Sequence, residues 1–162
     1  MTTTHGAHPT PFTPPPRAAL LARRREAGAA DVLALTLWGE AASRPVRAVE
    51  AVAAVVMTRV RLAAAPGGPA HLGQGVAAVC RAPFQFACWH PGHPRRRALA
   101  ELPAGADLGP CQRVAARALS GALPDPTGGA THYHAAERLP RWALGRVPTA
   151  EIGGLVFYRL LG

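Results

Sequence analysis

The chain has no lysine, no asparagine, a single isoleucine (Ile152) and only nine acidic residues. All 18 basic residues are arginine, and the formal net charge is +9. Such an excess invites a polyanionic partner: nucleic acid, an acidic membrane or the anionic bacterial envelope. The missing Lys, Asn and Ile, set against abundant Ala, Gly and Pro, read as the imprint of a GC-rich genome. Part of the arginine excess therefore carries no functional message. No apolar run approaches the roughly 18 residues of a membrane span. The segment "AALLA" (18–22) is short and precedes "RRR", the wrong order for a signal peptide. Export then calls for another route or an upstream start codon. Three cysteines, Cys80, Cys88 and Cys111, are too few for a disulfide scaffold. A Cys88–Cys111 or Cys80–Cys111 bridge and three buried thiols both fit the spacing. Neither a paired CxxC nor an HExxH motif occurs, and no internal repeat is visible.

What is present fits one domain with a tail: 162 residues, 49% of them hydrophobic. Residues 1–28 read as a Pro/Arg-rich disordered tail, since "THGAHPTPFTPPPR" holds five prolines and no apolar period. Residues 29–162 form the folded unit. Asp31 suits the N-cap of a helix running from 32 to about 39. Ser43 and Pro45 open a second helix, with Val46, Val49, Ala53, Val56 and Val60 on one apolar stripe. That helix is the expected centre of the core. Residues 75–94 are aromatic-rich and broken by prolines, so irregular structure is expected. A further helix starts at Pro110 and ends near Ser120, with Cys111, Val114, Ala115 and Ala118 inward. "DPTGG" (125–129) is turn chemistry. "ATHYHA" (130–135) and "LVFYRL" (155–160) are strand candidates. The fold class is α+β, mostly helical, with a small antiparallel ribbon.

Glu40 closes the first helix in "LWGEAASRP". The helix dipole disfavours negative charge there, and Trp38 with an Ala/Val-rich surface adds an apolar setting, both favouring a protonated acid. A plain surface glutamate balanced by Arg44 or Arg47 also fits. Phe84, Gln85, Phe86, Trp89, Tyr133, His134, Trp142 and Tyr158 come from separate segments. Aromatic faces beside hydrogen-bonding groups suit sugars, and buried Gln, His and Tyr need partners.

"LWGEA", "AVAAVVMTRVR", "PFQFACW", "DPTGGATHYHA", "PRWA" and "IGGLVFYR" stand in an order that resembles the SleB/CwlJ-like cell wall hydrolase family, spanning residues 31–159. The resemblance implies a lysozyme-like catalytic domain over 29–162 that cleaves peptidoglycan glycan strands. It also implies that Glu40, the glutamate of the "GEA" block, is the catalytic residue. Three positions depart from the family: Thr58 replaces an Asn, "FQFA" (84–87) replaces "GQFS", and Leu155 replaces a His.

Water-using glycosidases commonly need two carboxylates. Glu26, Asp31, Glu50, Glu101, Asp107, Asp125, Glu137 and Glu151 offer no evident second one; the resemblance to SleB-type members implies a lytic transglycosylase, which one acid/base can serve, and that is the leading expectation. Gln85, Tyr133 and His134 are candidates for positioning hydroxyls. Phe86 and Tyr158 are further binding candidates, and Trp89 and Trp142 could stack on rings. The alternatives are a glycan hydrolase using water, a zinc hydrolase built from His132, His134, Cys88, His90 and His93, and a basic nucleic-acid-binding module. The leading reading calls for no cofactor and no nucleic acid. Its partner is the glycan strand, its form a monomer, and its place of action the periplasm or envelope.

Overall fold

The computed structural model describes residues 17–103 and 106–161, with side chains from residue 28 onward. Helix α1 (Arg17–Ala41) corrects two expectations. It takes in the second half of the expected tail, and it makes Asp31 an exposed mid-helix residue rather than a cap. The cause is local: residues 17–27 are almost all Ala, Leu, Arg and Glu, the strongest helix formers. Residues 1–16, the proline-rich part, lie outside the described residues.

From residue 32 onward α1 buries Val32, Leu33, Thr36, Leu37, Glu40 and Ala41, a stripe at helical spacing. The helix runs through Gly39 instead of ending there. A Cβ on Gly39 would lie 2.5 Å from the Cβ of Cys88, so glycine lets the 86–89 segment press against the helix.

Helix α2 (Val46–Ala64) is the core helix the spacing predicts. Val49, Ala53 and Val56 are buried, but so are Ala51, Val52 and Val55, so the helix is enclosed on most sides. Val46, at the mouth of the stripe, is exposed. Short helices α3 (Val76–Arg81) and α4 (Pro94–Ala100) follow, each ended within two turns. Helix α5 (Gly109–Leu119) buries Cys111, Val114, Ala115 and Ala118, as expected, and packs on α1 and α2.

Strands β1 (His132–Ala135) and β3 (Leu155–Tyr158) pair antiparallel, Tyr133 opposite Phe157 and His134 opposite Val156. A third strand, β2 (Ala150–Ile152), was not expected and pairs on the other side of β3. It arises from the two-glycine hairpin at 153–154, where both residues have positive φ, as a tight antiparallel turn requires. Gly153 sits against Ala48, where an added Cβ would come within 2.7 Å. Arg44 Nη1 donates to the carbonyls of Gly153 and Gly154 at 3.2 and 2.9 Å, tying the hairpin to the α1–α2 corner. Its second nitrogen pairs with Glu137, so Arg44 does not balance Glu40. Among the described residues no helix is long and apolar enough to cross a membrane.

Candidate active site

Glu40 projects from the last turn of α1 and is only 6% exposed. Its Oε1 accepts the backbone N–H of Cys88 at 2.8 Å. Its Oε2 accepts from Arg95 Nη1 at 2.6 Å and from the Tyr133 hydroxyl at 2.9 Å. The surroundings therefore differ from the apolar setting expected: three donors from three different segments converge on one carboxylate. Both partners of Oε2 line a cavity of about 420 Å³ that also takes in Gln85, Phe86, His134 and Trp142. Glu40 is the only carboxylate in that lining among the described residues.

Tyr133 reaches Glu40 because β1 places it opposite Phe157, with the two rings 5.8 Å apart. Burial, and then the charge of Glu40, hold its phenol well above its usual pKa, so the group stays a donor. His134 uses Nδ1–H on the carbonyl of Ala135 at 2.8 Å, leaving Nε2 for the Tyr158 hydroxyl at 3.2 Å. Trp142, 37% exposed, stands edge-on to His134 and Tyr158 with centroids 5.6 and 5.4 Å away. The Tyr158 ring is buried behind this pair and is not part of the cavity lining, so it supports the wall rather than forming it.

Trp89 is placed differently from the expectation. Its Nε1–H donates to Thr36 Oγ1 at 2.9 Å, and the guanidiniums of Arg81 and Arg96 lie 5.1 and 5.7 Å from its ring. It faces away from the Glu40 cavity because the segment 87–89 turns in a single 3-10 turn that directs the indole back to α1. Gln85 does line the cavity, and its carbonyl accepts from Arg59 Nη1 at 3.3 Å.

Arg59 and Arg95 are lining residues that the sequence reading did not single out, while Phe84 stood in its aromatic set and His132 in its zinc alternative. Arg59 is 4% exposed, stacks 4.9 Å from the Phe86 ring centroid and donates Nε–H to the carbonyl of Thr131 at 2.8 Å. Burial lowers its pKa, while Tyr133, Cys80 and Glu40 oppose that shift. An arginine inside the Ala/Val face of α2 was the available signal. Nothing in the order of residues links Arg95 to Glu40, since α4 meets the end of α1 only in the folded chain. His132 is desolvated and faces Arg59, Arg146 and His71, which lowers its pKa to about 4.

All three cysteines are buried free thiols, so neither candidate bridge forms. Burial, and then Glu40, push the Cys88 thiol far above its usual pKa, and burial raises Cys80 to about 11. Neither is an activated nucleophile. Among the described residues no three His, Cys, Asp or Glu side chains gather in metal-holding geometry, including those proposed for zinc. Upstream of β1, Asp125 accepts from the Thr127 N–H and hydroxyl and from the Gly129 N–H, at 2.8, 2.6 and 2.9 Å. The "DPTGG" turn thus delivers β1 to the cavity, and its carboxylate is structural.

A family model described as cell wall hydrolase matches residues 43–158, a span that begins just after Glu40. The catalytic domain of the Bacillus cereus SleB protein is similar in structure, with a TM-score of 0.58 and 25% sequence identity. The match covers 80% of this chain and 88% of that one. No curated protein matches the chain.

Proposed function

The chain belongs to the cell wall hydrolase family, and on that premise we propose that it cleaves the MurNAc–GlcNAc strand of peptidoglycan as a lytic transglycosylase, with Glu40 as its single acid/base. The observation that carries this reading is the lone carboxylate of the cavity: Glu40 has no second Asp or Glu facing it among the described lining residues. A two-carboxylate glycosidase needs acid and base or nucleophile across the scissile bond, about 5–9.5 Å apart. One carboxyl suffices when the nucleophile belongs to the substrate.

In that mechanism Glu40, in its acid form, protonates the glycosidic oxygen as the bond to C1 breaks. The resulting carboxylate then takes the proton of the 6-hydroxyl of the same muramic residue as that oxygen attacks C1. The product is a 1,6-anhydro end, and the intramolecular attack gains from proximity. The Cys88 N–H holds Oε1 still. Tyr133 and Arg95, both in the cavity lining, orient Oε2. Gln85, a lining residue, is the candidate to meet sugar hydroxyls; His134 would do so by giving up the Tyr158 hydroxyl on its Nε2, and Trp142 is the candidate to stack on a ring. The family's description as hydrolases keeps a second reading, attack by water at the same acid.

Product analysis separates the two. Purified peptidoglycan digested by the wild type is expected to yield anhydro-muropeptides by mass spectrometry; reducing ends in their place would assign the water reaction. Glu40→Gln keeps an acceptor for the Cys88 N–H and is expected to lower turnover by roughly 10²–10⁴-fold. Undiminished activity in that variant overturns the assignment of Glu40.

A further inference from the structure

Phe84 is the one non-glycine residue with positive φ (62°) among the described residues. It is also 85% exposed. It occupies the third position of a turn at 82–85 that is closed by the Gln85 N–H on the Ala82 carbonyl at 3.2 Å, with Pro83 second. Proline second and positive φ third is the type II pattern, whose third position glycine fills without steric cost. A phenylalanine there pays backbone strain and gains no burial in return, which points to a use outside the fold.

The ring stands on a ridge. On one side is the Glu40 cavity; on the other is a groove of about 300 Å³ that includes Arg81, Trp89, His90 and Pro91. Phe84 lines both. Its ring is tilted against His90, with centroids 5.2 Å apart, which limits its swing. The turn itself is anchored from beneath by Arg59 on the Gln85 carbonyl and by the buried Phe86. A solvent-facing aromatic at the mouth of a cavity with hydrogen-bonding walls suits the C–H face of a pyranose.

We propose that Phe84 is a specificity-determining stacking residue that holds a sugar ring of the glycan strand beyond the scissile bond, where the Glu40 cavity opens into the neighbouring groove. This rests on the glycan-cleaving function proposed above. The occupant is a pyranose of the same strand, so the groove extends the cleft rather than forming a separate site.

Steady-state cleavage of defined glycan strands by Phe84→Ala, Phe84→Gly and Phe84→Trp tests it, alongside thermal melting. Phe84→Ala and Phe84→Gly are expected to raise KM by about fivefold to tenfold, the loss of part of one ring's apolar contact, with the change confined to KM. Phe84→Trp should restore it. Phe84→Gly should also melt about 2–4 °C higher, because it relieves the positive φ, whereas Phe84→Ala should not. An unchanged KM in both truncations overturns the proposal, and so does a KM defect that Phe84→Trp fails to rescue. Strand binding by the Glu40→Gln protein with and without Phe84→Ala reads the subsite apart from chemistry. Weaker binding of the double variant is expected, and equal binding rejects the subsite while leaving the role of Glu40 standing. Absence of strand cleavage by the wild type would instead remove the function on which the subsite rests, whereas full cleavage by Glu40→Gln would overturn only the role of Glu40.

Discussion

The two walls of the Glu40 cavity are built on different principles. The sheet wall, β1 and β3 with Trp142, holds itself: a strand ladder sets Tyr133 and His134, and Tyr158, His134 and Trp142 pack on one another. The turn wall, residues 82–95, has no ladder. It is held by side chains of helices α1 and α2: Glu40 takes the Cys88 N–H, Thr36 takes the Trp89 indole, and Arg59 takes the Gln85 carbonyl. A backbone ladder tolerates most side-chain changes, whereas a wall hung on single side chains fails one residue at a time. Glu40 therefore serves the fold of its own site as well as the chemistry proposed for it.

The comparison is broken most severely at Arg59, which like Glu40 spans both walls, here through the carbonyls of Gln85 and Thr131. Arg59→Met should cost about 2–4 kcal/mol by leaving buried acceptors unpaired, read as a lower urea midpoint. A cost below about 0.5 kcal/mol would show that the walls do not share this link.

Two tryptophans sharpen it next. Trp142→Ala, at the rim of the sheet wall, should lower strand cleavage roughly tenfold through KM while the partly exposed position keeps the change in stability small. Trp89→Phe, in the turn wall, should do the reverse: a loss of about 1 kcal/mol from the Thr36 hydrogen bond with cleavage nearly intact. Equal effects of the two on cleavage would erase the distinction.

The smallest effect is a pH dependence of the sheet wall. The folded pKa of His132, about 4, lies below the ordinary 6.5. The unfolded chain therefore takes up a proton first, and the His132 contribution to stability falls as pH drops from about 6.5 to 4. His132→Gln should flatten the stability profile over that window, as followed by denaturation midpoints at several pH values. An unchanged slope would assign the dependence to other groups.

Much of this was legible in the residues. The apolar spacing of α2 and α5 reports burial directly, because a residue's side is set by the 3.6-residue period, and the alternation in β1 marks a strand although all four of its residues are half-buried. Glu40 drew attention as an isolated acid beside apolar segments. The start of α1 is not legible from Asp31, whose capping chemistry suggests a boundary that the helix propensity of residues 17–27 overrides. Strand β2 was missed because three residues are too short to display a period. Trp89 and Trp142 cannot be told apart in sequence: both are tryptophans in proline-flanked segments, and only the direction of a turn puts one in the cavity.

By itself, then, the order of residues determined the helical core, the turn at 125–129, the acid at the end of α1 and the family to which the chain belongs. Each depends on local pattern, backbone freedom or a short motif. The tertiary structure alone decided that Arg95, Tyr133 and the Cys88 N–H meet on that acid, and that Arg59 joins the two walls. Those contacts join residues 26 to 93 positions apart, so no local period records them. They form because α1 and α2 bring one buried carboxylate and one buried guanidinium to the same end of the core, where each must find partners.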